Sequence, residues 1–168
     1  MITHTLADVI ARDLRTLRRE IEAYENEQDL WKIVPGVRNS AGTLAMHVAG
    51  NLSHFVGATL GATGYVRNRE AEFSRRNVAR TDLLQGIDET IAAVEKTFAR
   101  VGDEILHTTY PLDLGGTEVR SGDFLVHLAT HLGYHLGQID YHRRFVTGEA
   151  GNVKAVAISE LRSARATS

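Results

Sequence analysis

The spacing of apolar residues along the chain predicts long amphipathic helices joined by polar connections. The first helix is predicted from Thr5 to Asn26, because apolar side chains recur there at intervals of three and four residues. That stripe consists of Leu6, Ile10, Leu14, Leu17, Ile21 and Tyr24. Thr5 followed by Asp8 resembles a capping signal. Charged residues, including Glu20, fall on the opposite side and predict a solvated face.

The same periodicity predicts three more helices. The second is expected from Ser40, a favourable N-cap residue, to about Leu60, where glycines end it. The third begins with Thr81 as its N-cap and shows a regular three-four alternation of apolar residues. The fourth is expected from about Ser121 to Val146, and Thr147-Gly148 stops it.

The connections complete the expected architecture. Residues 62–80 are polar and contain five arginines, which predicts a solvated crossover with local ion pairs or, alternatively, a segment that binds substrate carboxylates. Gly115-Gly116 lies between two short β-prone runs and predicts a hairpin. The expected fold is therefore all-α, a four-helix bundle with a long crossover after helix two and a short β-hairpin before helix four.

One domain is expected for residues 1–168, with its core at about 5–147. The tail, residues 148–168, is weakly patterned. Its apolar residues Val153, Val156 and Ile158 indicate either a short packing segment or a loose end.

The composition excludes several classes of function. The chain has 19 basic and 21 acidic residues, so we expect no binding to nucleic acid or to an anionic membrane. It has no run of eighteen apolar residues and no signal-peptide pattern at its N-terminus, so the expected location is the cytoplasm. The absence of cysteine excludes disulfides, thiolate metal sites and a cysteine nucleophile. Any thiol chemistry would need a thiol that arrives with a substrate.

Half of the eight histidines lie within sixteen residues of the fourth helix. They are His127, His131, His135 and His142. Their spacings of four, four and seven residues return to one side of a helix, on the side that also carries Phe124. A buried ring nitrogen without a partner costs about 1–3 kcal/mol. Several neutral imidazoles that face one place are natural ligands of a divalent metal ion.

A three-histidine metal site is predicted from two helices. His131 and His135 are one turn apart and can both reach one ion, and His47 at the edge of the apolar face of helix two is the best third ligand. Three imidazoles leave positions for water and substrate, as in catalytic sites. Gln138 could orient a ligand or a bound water.

Periodicity alone leaves other ligand sets open. His127 could pair with His131, and His54 could replace His47. His142 lies two turns beyond His135, about 10 Å along the helix axis, and is expected to stay outside the site.

The run His131-Leu-Gly-Tyr-His135-Leu-Gly-Gln138-Ile, together with an isolated histidine near the start of helix two, resembles the DinB/YfiT-like superfamily. The resemblance covers about residues 5–147. It implies an all-α bundle with a crossover after the second helix, and a metal triad that maps onto His47, His131 and His135. Many members carry a basic residue after the last histidine of the motif, where this chain has Leu136.

The resemblance also implies a function. Relatives include thiol-dependent S-transferases and isomerases, amidohydrolase-type enzymes and many members without an assigned activity. The leading hypothesis is an enzyme that uses Zn²⁺ or Ni²⁺ to transfer a low-molecular-weight thiol to an electrophile. The alternatives are a metal-dependent hydrolase of an amide or ester, and a metal-binding stress or interaction protein without turnover. Candidate substrate contacts are Asn51, Tyr134 and the arginine segment.

A homodimer packed through bundle helices is a further implication of the resemblance. The apolar positions Leu125, Leu132 and Leu136, on a flank of helix four beside the histidines, are read as a surface available for such packing.

Overall fold

The computed structural model describes residues 1–166, and helices dominate its secondary structure. The α-helices are α1 (Ile2–Glu22), α2 (Ala41–Leu52), α3 (Arg69–Ser74), α4 (Arg80–Phe98) and α5 (Ser121–Thr147). Three 3₁₀ segments accompany them, at Glu27–Trp31, Asp103–His107 and Ile158–Glu160. No β-strand occurs among the described residues, so the predicted all-α class is confirmed.

The long helices enclose one apolar core. α1 packs against α4 and α5, and α2 packs against the same two helices. The predicted stripe of α1 is buried in this core apart from Leu6, which is half-buried. Leu125, Leu132 and Leu136 of α5 are also fully enclosed. The expectation that these leucines form a free surface for a second chain is therefore wrong, because they face α1 and α2 within the same molecule.

The start of α1 depends on a residue far away in the sequence. The helix begins at Ile2, three residues before the predicted Thr5. The Asp103 carboxylate accepts hydrogen bonds from the backbone N–H groups of Ile2 and Thr3, at 3.0 and 2.9 Å. The Thr3 hydroxyl donates to it as well, at 2.7 Å. Because Asp103 supplies these acceptors, α1 needs no cap from its own sequence.

Helix two combines α-helical and π-helical geometry. Ser40 caps it as predicted, since its hydroxyl accepts from the Thr43 backbone N–H. The chain continues beyond α2 as a π-helix over Ser53–Ala58, a geometry that is frequent at functional sites. The prediction of Thr81 as the N-cap of the next long helix is wrong. α4 begins at Arg80 after Ala79, and no side chain caps it.

The connections differ from the predicted ones in two places. The crossover at 62–80 contains a helix, α3, whose N-cap Asn68 accepts from the Ala71 backbone N–H at 2.9 Å. The predicted hairpin before α5 is present only as one antiparallel β-bridge between Thr109 and Arg120. The Tyr110 side chain turns inward there and its hydroxyl donates to the Phe55 carbonyl, which ties this segment to helix two.

The end of α5 agrees with the prediction, but the tail packs through polar contacts. Gly148 adopts a left-handed φ of 74°, which a side-chain-bearing residue rarely adopts, and it ends the helix. Val156 and Ile158 are exposed, so the tail is not an apolar packing segment. Instead, Arg19 donates to the Val153 carbonyl, and Arg143 to the Gly151 carbonyl.

Glu20 is another departure from the predicted pattern. It is fully buried rather than solvated, and it accepts from the buried Arg143 at 2.6 Å.

The described part of the chain contains no helix with the apolar length that a bilayer span requires.

Candidate metal centre

Three histidines from two helices converge on one point. His47 of α2 and His131 and His135 of α5 place ligand atoms within 4.8 Å of one another. The Nε2 atom of His131 lies 3.4 Å from Nε2 of His47 and 3.1 Å from Nε2 of His135. The rings of His131 and His135 are almost perpendicular, at 87°. These are the three residues that the sequence analysis selected.

A carboxylate sets the protonation pattern of His47. Glu72 of α3 lies with Oε2 3.0 Å from His47 Nδ1. Arg67 binds the same carboxylate through two bonds, at 2.7 and 2.8 Å. An ionised carboxylate can only accept, so Nδ1 carries the hydrogen. Burial alone would raise the pKa of Glu72, but hydrogen bonds from Arg67 and His47 outweigh it and lower that pKa. In the neutral imidazole a hydrogen on Nδ1 leaves Nε2 of His47 with a lone pair.

The side-chain amide of Gln138 orients His135 in the way that Glu72 orients His47. The Gln138 Oε1 atom, one turn along α5, accepts from His135 Nδ1 at 2.7 Å. The hydrogen of a neutral imidazole can occupy only one ring nitrogen, so Nε2 of His135 is left with its lone pair. The expectation that Gln138 could orient a ligand residue agrees with this geometry.

The donor set fits a divalent metal ion. His131 Nε2 faces two lone pairs and can offer one hydrogen at most, so hydrogen bonding cannot satisfy both contacts. A cation bound by all three nitrogens would satisfy them together. Zinc binds imidazole at about 2.0–2.1 Å, which separates tetrahedral ligands by about 3.4 Å. The two Nε2 separations, 3.1 and 3.4 Å, are close to that value.

Burial favours the neutral form of the two α5 histidines of the centre. Burial lowers the pKa of His131 to about 4, with further contributions from the charges of His135, His47, His127 and Arg67. Burial also lowers the pKa of His135, against the hydrogen bond that His135 donates to Gln138, which raises it. Neutral imidazole is the form that binds metal. His47 is buried while the two α5 histidines are half-buried, so the centre opens to solvent on the α5 side.

Glu72 and Arg67 are the site residues that sequence reasoning missed. Both belong to the crossover, whose arginines the sequence analysis considered only as local ion pairs or substrate contacts and not as partners of a metal ligand. One signal was present: Asn68 followed by acidic residues is a typical helix start. Recognition of that helix would have placed Glu72 on an ordered element. Its position against His47, 25 residues earlier in the chain, depends on tertiary packing.

The other candidate histidines lie outside this cluster. His142 is 4% exposed and donates from Nε2 to the Lys32 carbonyl, while its Nδ1 accepts from the Tyr24 hydroxyl. His127 is exposed, and its ring stacks on Phe124. The prediction that all four α5 histidines share the apolar face is thus wrong for His127, which lies on the solvent side of that face.

Two other polar side chains of helix two, Asn51 and His54, each have a buried atom without a hydrogen-bond partner among the described residues. His54, in the π-helical segment, is half-buried, and burial lowers its pKa. The Oδ1 atom of Asn51 is buried and has no hydrogen-bond partner among the described residues. On α5, Tyr134 is 67% exposed, and its ring lies 5.3 Å from that of His135. Neither Asn51 nor Tyr134 donates to or accepts from the three ligand histidines.

The arginines of the crossover are mostly engaged within the protein. Arg67 pairs with Glu72, Arg80 donates to the Tyr24 carbonyl, and Arg76 donates to nearby carbonyl groups. Arg69 lies over the Phe73 ring at 5.2 Å. Arg67 alone among these four forms the predicted local ion pair, and the other three contact carbonyl groups or an aromatic ring.

Comparison with known proteins gives one family. The model described as the DinB superfamily matches residues 10–139, a range that contains His47, His131, His135 and Glu72. No curated protein and no solved structure matches the chain.

Proposed function

Because the chain belongs to the DinB superfamily, we propose that the three-histidine cluster holds a divalent metal ion in a metal-dependent thiol S-transferase. In this proposal α1, α2, α4 and α5 form the four-helix bundle, and α3 lies in its crossover. The observation that carries the proposal is the convergence of three Nε2 atoms, two of which are fixed as lone-pair donors by Glu72 and Gln138.

The reaction that we propose is redox-neutral. A small thiol loses its proton to solvent, and its sulfur forms a bond to an electrophilic carbon. The bond from that carbon to its leaving group breaks, and the leaving group keeps the electron pair. Bound Zn²⁺ or Ni²⁺ would supply positive charge that favours the thiolate over the thiol. The 168 residues contain no cysteine, so the sulfur must come with the substrate.

The side chains of the protein would hold and orient the reactants. His47, His131 and His135 are the proposed ligands, which leaves the α5 side for the thiol and the electrophile. Tyr134 lies at this open side and is a proposed substrate contact. The unpartnered Oδ1 of Asn51 would accept a hydrogen bond from a substrate group that reaches it.

A thiol-dependence assay tests the proposal. Protein without a histidine tag is stripped of metal, loaded with Zn²⁺ or Ni²⁺, and incubated with an epoxide or a chloro-aromatic, with and without 2-mercaptoethanol and larger small thiols. We expect product only when both metal and thiol are present. His131→Ala should abolish turnover. His127→Ala, a change to an exposed histidine one turn earlier on α5, should retain it.

Each rival function predicts another outcome. Turnover of an ester or amide at equal rates with and without thiol would replace the transferase by a hydrolase. Metal binding without turnover over the whole panel of thiols and electrophiles would favour a binding protein.

A further inference from the structure

The crossover carries a buried ion pair, Arg67–Glu72. It contacts His47 at Nδ1, whereas the Nε2 atom of this ring faces His131. We propose that Glu72, held by Arg67, is a positioning residue that fixes His47 with its hydrogen on Nδ1 and its Nε2 lone pair toward His131 and His135. This inference rests on the proposed function, because it takes His47 as a metal ligand. It adds that the crossover is part of the centre.

The contacts of Glu72 are those of an acceptor that orients the His47 ring. Both carboxylate oxygens bind Arg67, at 2.7 and 2.8 Å, and Oε2 also accepts from His47 at 3.0 Å. The Glu72 side chain is 6% exposed and that of Arg67 is 11% exposed. Arg67 also approaches His47 Nδ1, at 3.4 Å, but two donors cannot bond each other. The carboxylate is therefore the acceptor that orients the ring, and Arg67 provides its counter-charge.

The sequence of α2 leaves room for this carboxylate. Gly50 lies three residues after His47, on the neighbouring turn of the helix. A Cβ atom at Gly50 would overlap Glu72 Oε1 and lie 3.0 Å from its Cδ, so the carboxylate would have to shift. Glycine inside a helix costs about 0.5–1 kcal/mol relative to alanine. At this position it permits the Glu72 carboxylate to pack against α2, because a Cβ atom would force that carboxylate to shift from the place where it binds His47.

A purely structural role for the pair is the competing explanation. In that case Arg67 and Glu72 would only attach the crossover to α2, and His47 would keep its ring orientation without them. The two explanations differ in the tautomer of His47 and in metal affinity. Carboxylates behind a histidine ligand commonly raise metal affinity by about 10- to 100-fold.

The test uses Gly50→Ala and Glu72→Gln with Gly86→Ala as the matched control. Gly86 is also a helical glycine, on α4, but a Cβ atom there would meet nothing within 4 Å. The probe is Zn²⁺ alone, measured by competition with a chromogenic chelator. We expect Gly50→Ala and Glu72→Gln to bind Zn²⁺ about 10- to 100-fold more weakly than the unchanged protein. Gly86→Ala should bind within twofold of it.

The second readout needs no metal. Long-range ¹H–¹⁵N spectra of metal-free protein report which ring nitrogen of His47 carries the hydrogen. We expect Nδ1–H in the unchanged protein and in Gly86→Ala, and a mixture of tautomers in Gly50→Ala. Should Glu72→Gln fail to fold, Gly50→Ala decides the question alone, because it changes no charged or titratable group.

Two results would overturn the inference. One is a folded Gly50→Ala that binds Zn²⁺ within twofold of the unchanged protein, and the other is His47 with its hydrogen on Nε2 in the unchanged protein. If the unchanged protein binds no Zn²⁺, the proposed function fails, and the tautomer of His47 still decides whether Glu72 positions this ring.

Discussion

The sharpest stability prediction concerns His142, the α5 histidine that serves structure rather than the metal centre. Its side chain is buried between the Tyr24 hydroxyl and the Lys32 carbonyl, each 2.8 Å away. His142→Ala leaves the fully buried Tyr24 hydroxyl unpaired, which costs about 1–3 kcal/mol. The loss of the packed ring adds about 1–2 kcal/mol. We therefore expect a loss of about 3 kcal/mol in the free energy of unfolding, together with unchanged Zn²⁺ binding.

The sign of the pH dependence follows from burial. Burial lowers the pKa of His142, against the bond with the Lys32 backbone, which raises it. The folded state therefore binds fewer protons than the unfolded chain, whose histidine titrates near pH 6.5. As the pH falls below about 6.5, the unchanged protein loses up to about 1.4 kcal/mol per pH unit through this group. His142→Ala lacks that loss, so its deficit should shrink between pH 7.5 and pH 5.5.

Urea denaturation of metal-free protein at both pH values measures these differences. His127→Ala is the matched control, because His127 is an exposed histidine on the same helix and should cost less than about 1 kcal/mol. The reasoning is refuted if His142→Ala costs less than 1 kcal/mol, if its deficit grows toward low pH, or if it removes the metal.

Three further predictions follow from other parts of the molecule. Arg143→Met should lower the free energy of unfolding by about 3–5 kcal/mol, because Glu20 is left buried and unpaired. Adding Glu20→Leu to the same chain should restore much of that free energy, as measured by denaturant titration. No recovery in the double variant would contradict the importance of the pair. A chelator should lower the melting temperature while the circular dichroism spectrum stays helical, because the core folds without metal. Zn²⁺ at 100 times its Kd adds about 2.7 kcal/mol to the free energy of unfolding. A coil spectrum of the chelated chain would contradict this prediction. Light scattering at micromolar concentration should give twice the mass of one chain if the dimer implied by the family forms, and the mass of one chain would remove that proposal.

The helices could be predicted because their periodicity is local. The stripe of α1 and the bounds of α5 depend on residues within a few turns, and Gly148 marks the end of α5 through its own conformation. The pairing of His131 with His135 is local too, since two residues one turn apart on a helix always share a face. His47 required a second helix, and its selection depended on the position of the residue in α2 and on the family resemblance.

The features that escaped prediction depend on residues distant in the sequence. Asp103 caps α1 from 100 residues away, and Arg143 neutralises Glu20 across 123 residues. The Glu72 that fixes His47 lies on a helix of six residues, too short to show a periodic pattern. All four α5 histidines were expected on the buried face. His142 does lie there, whereas His131 and His135 lie at its open edge, beside the buried Leu132 and Leu136. That displacement leaves the centre open to solvent on the α5 side.

The most direct test of the central claim is X-ray absorption spectroscopy of tag-free, zinc-loaded protein at one equivalent of metal. The proposed centre predicts a first shell of nitrogen or oxygen atoms at about 2.0–2.1 Å that includes three imidazoles, and a loss of imidazole scattering in His47→Ala. His127→Ala should leave the spectrum unchanged. A zinc ion held by one imidazole or by none, or a spectrum that is the same in His47→Ala, would contradict the account.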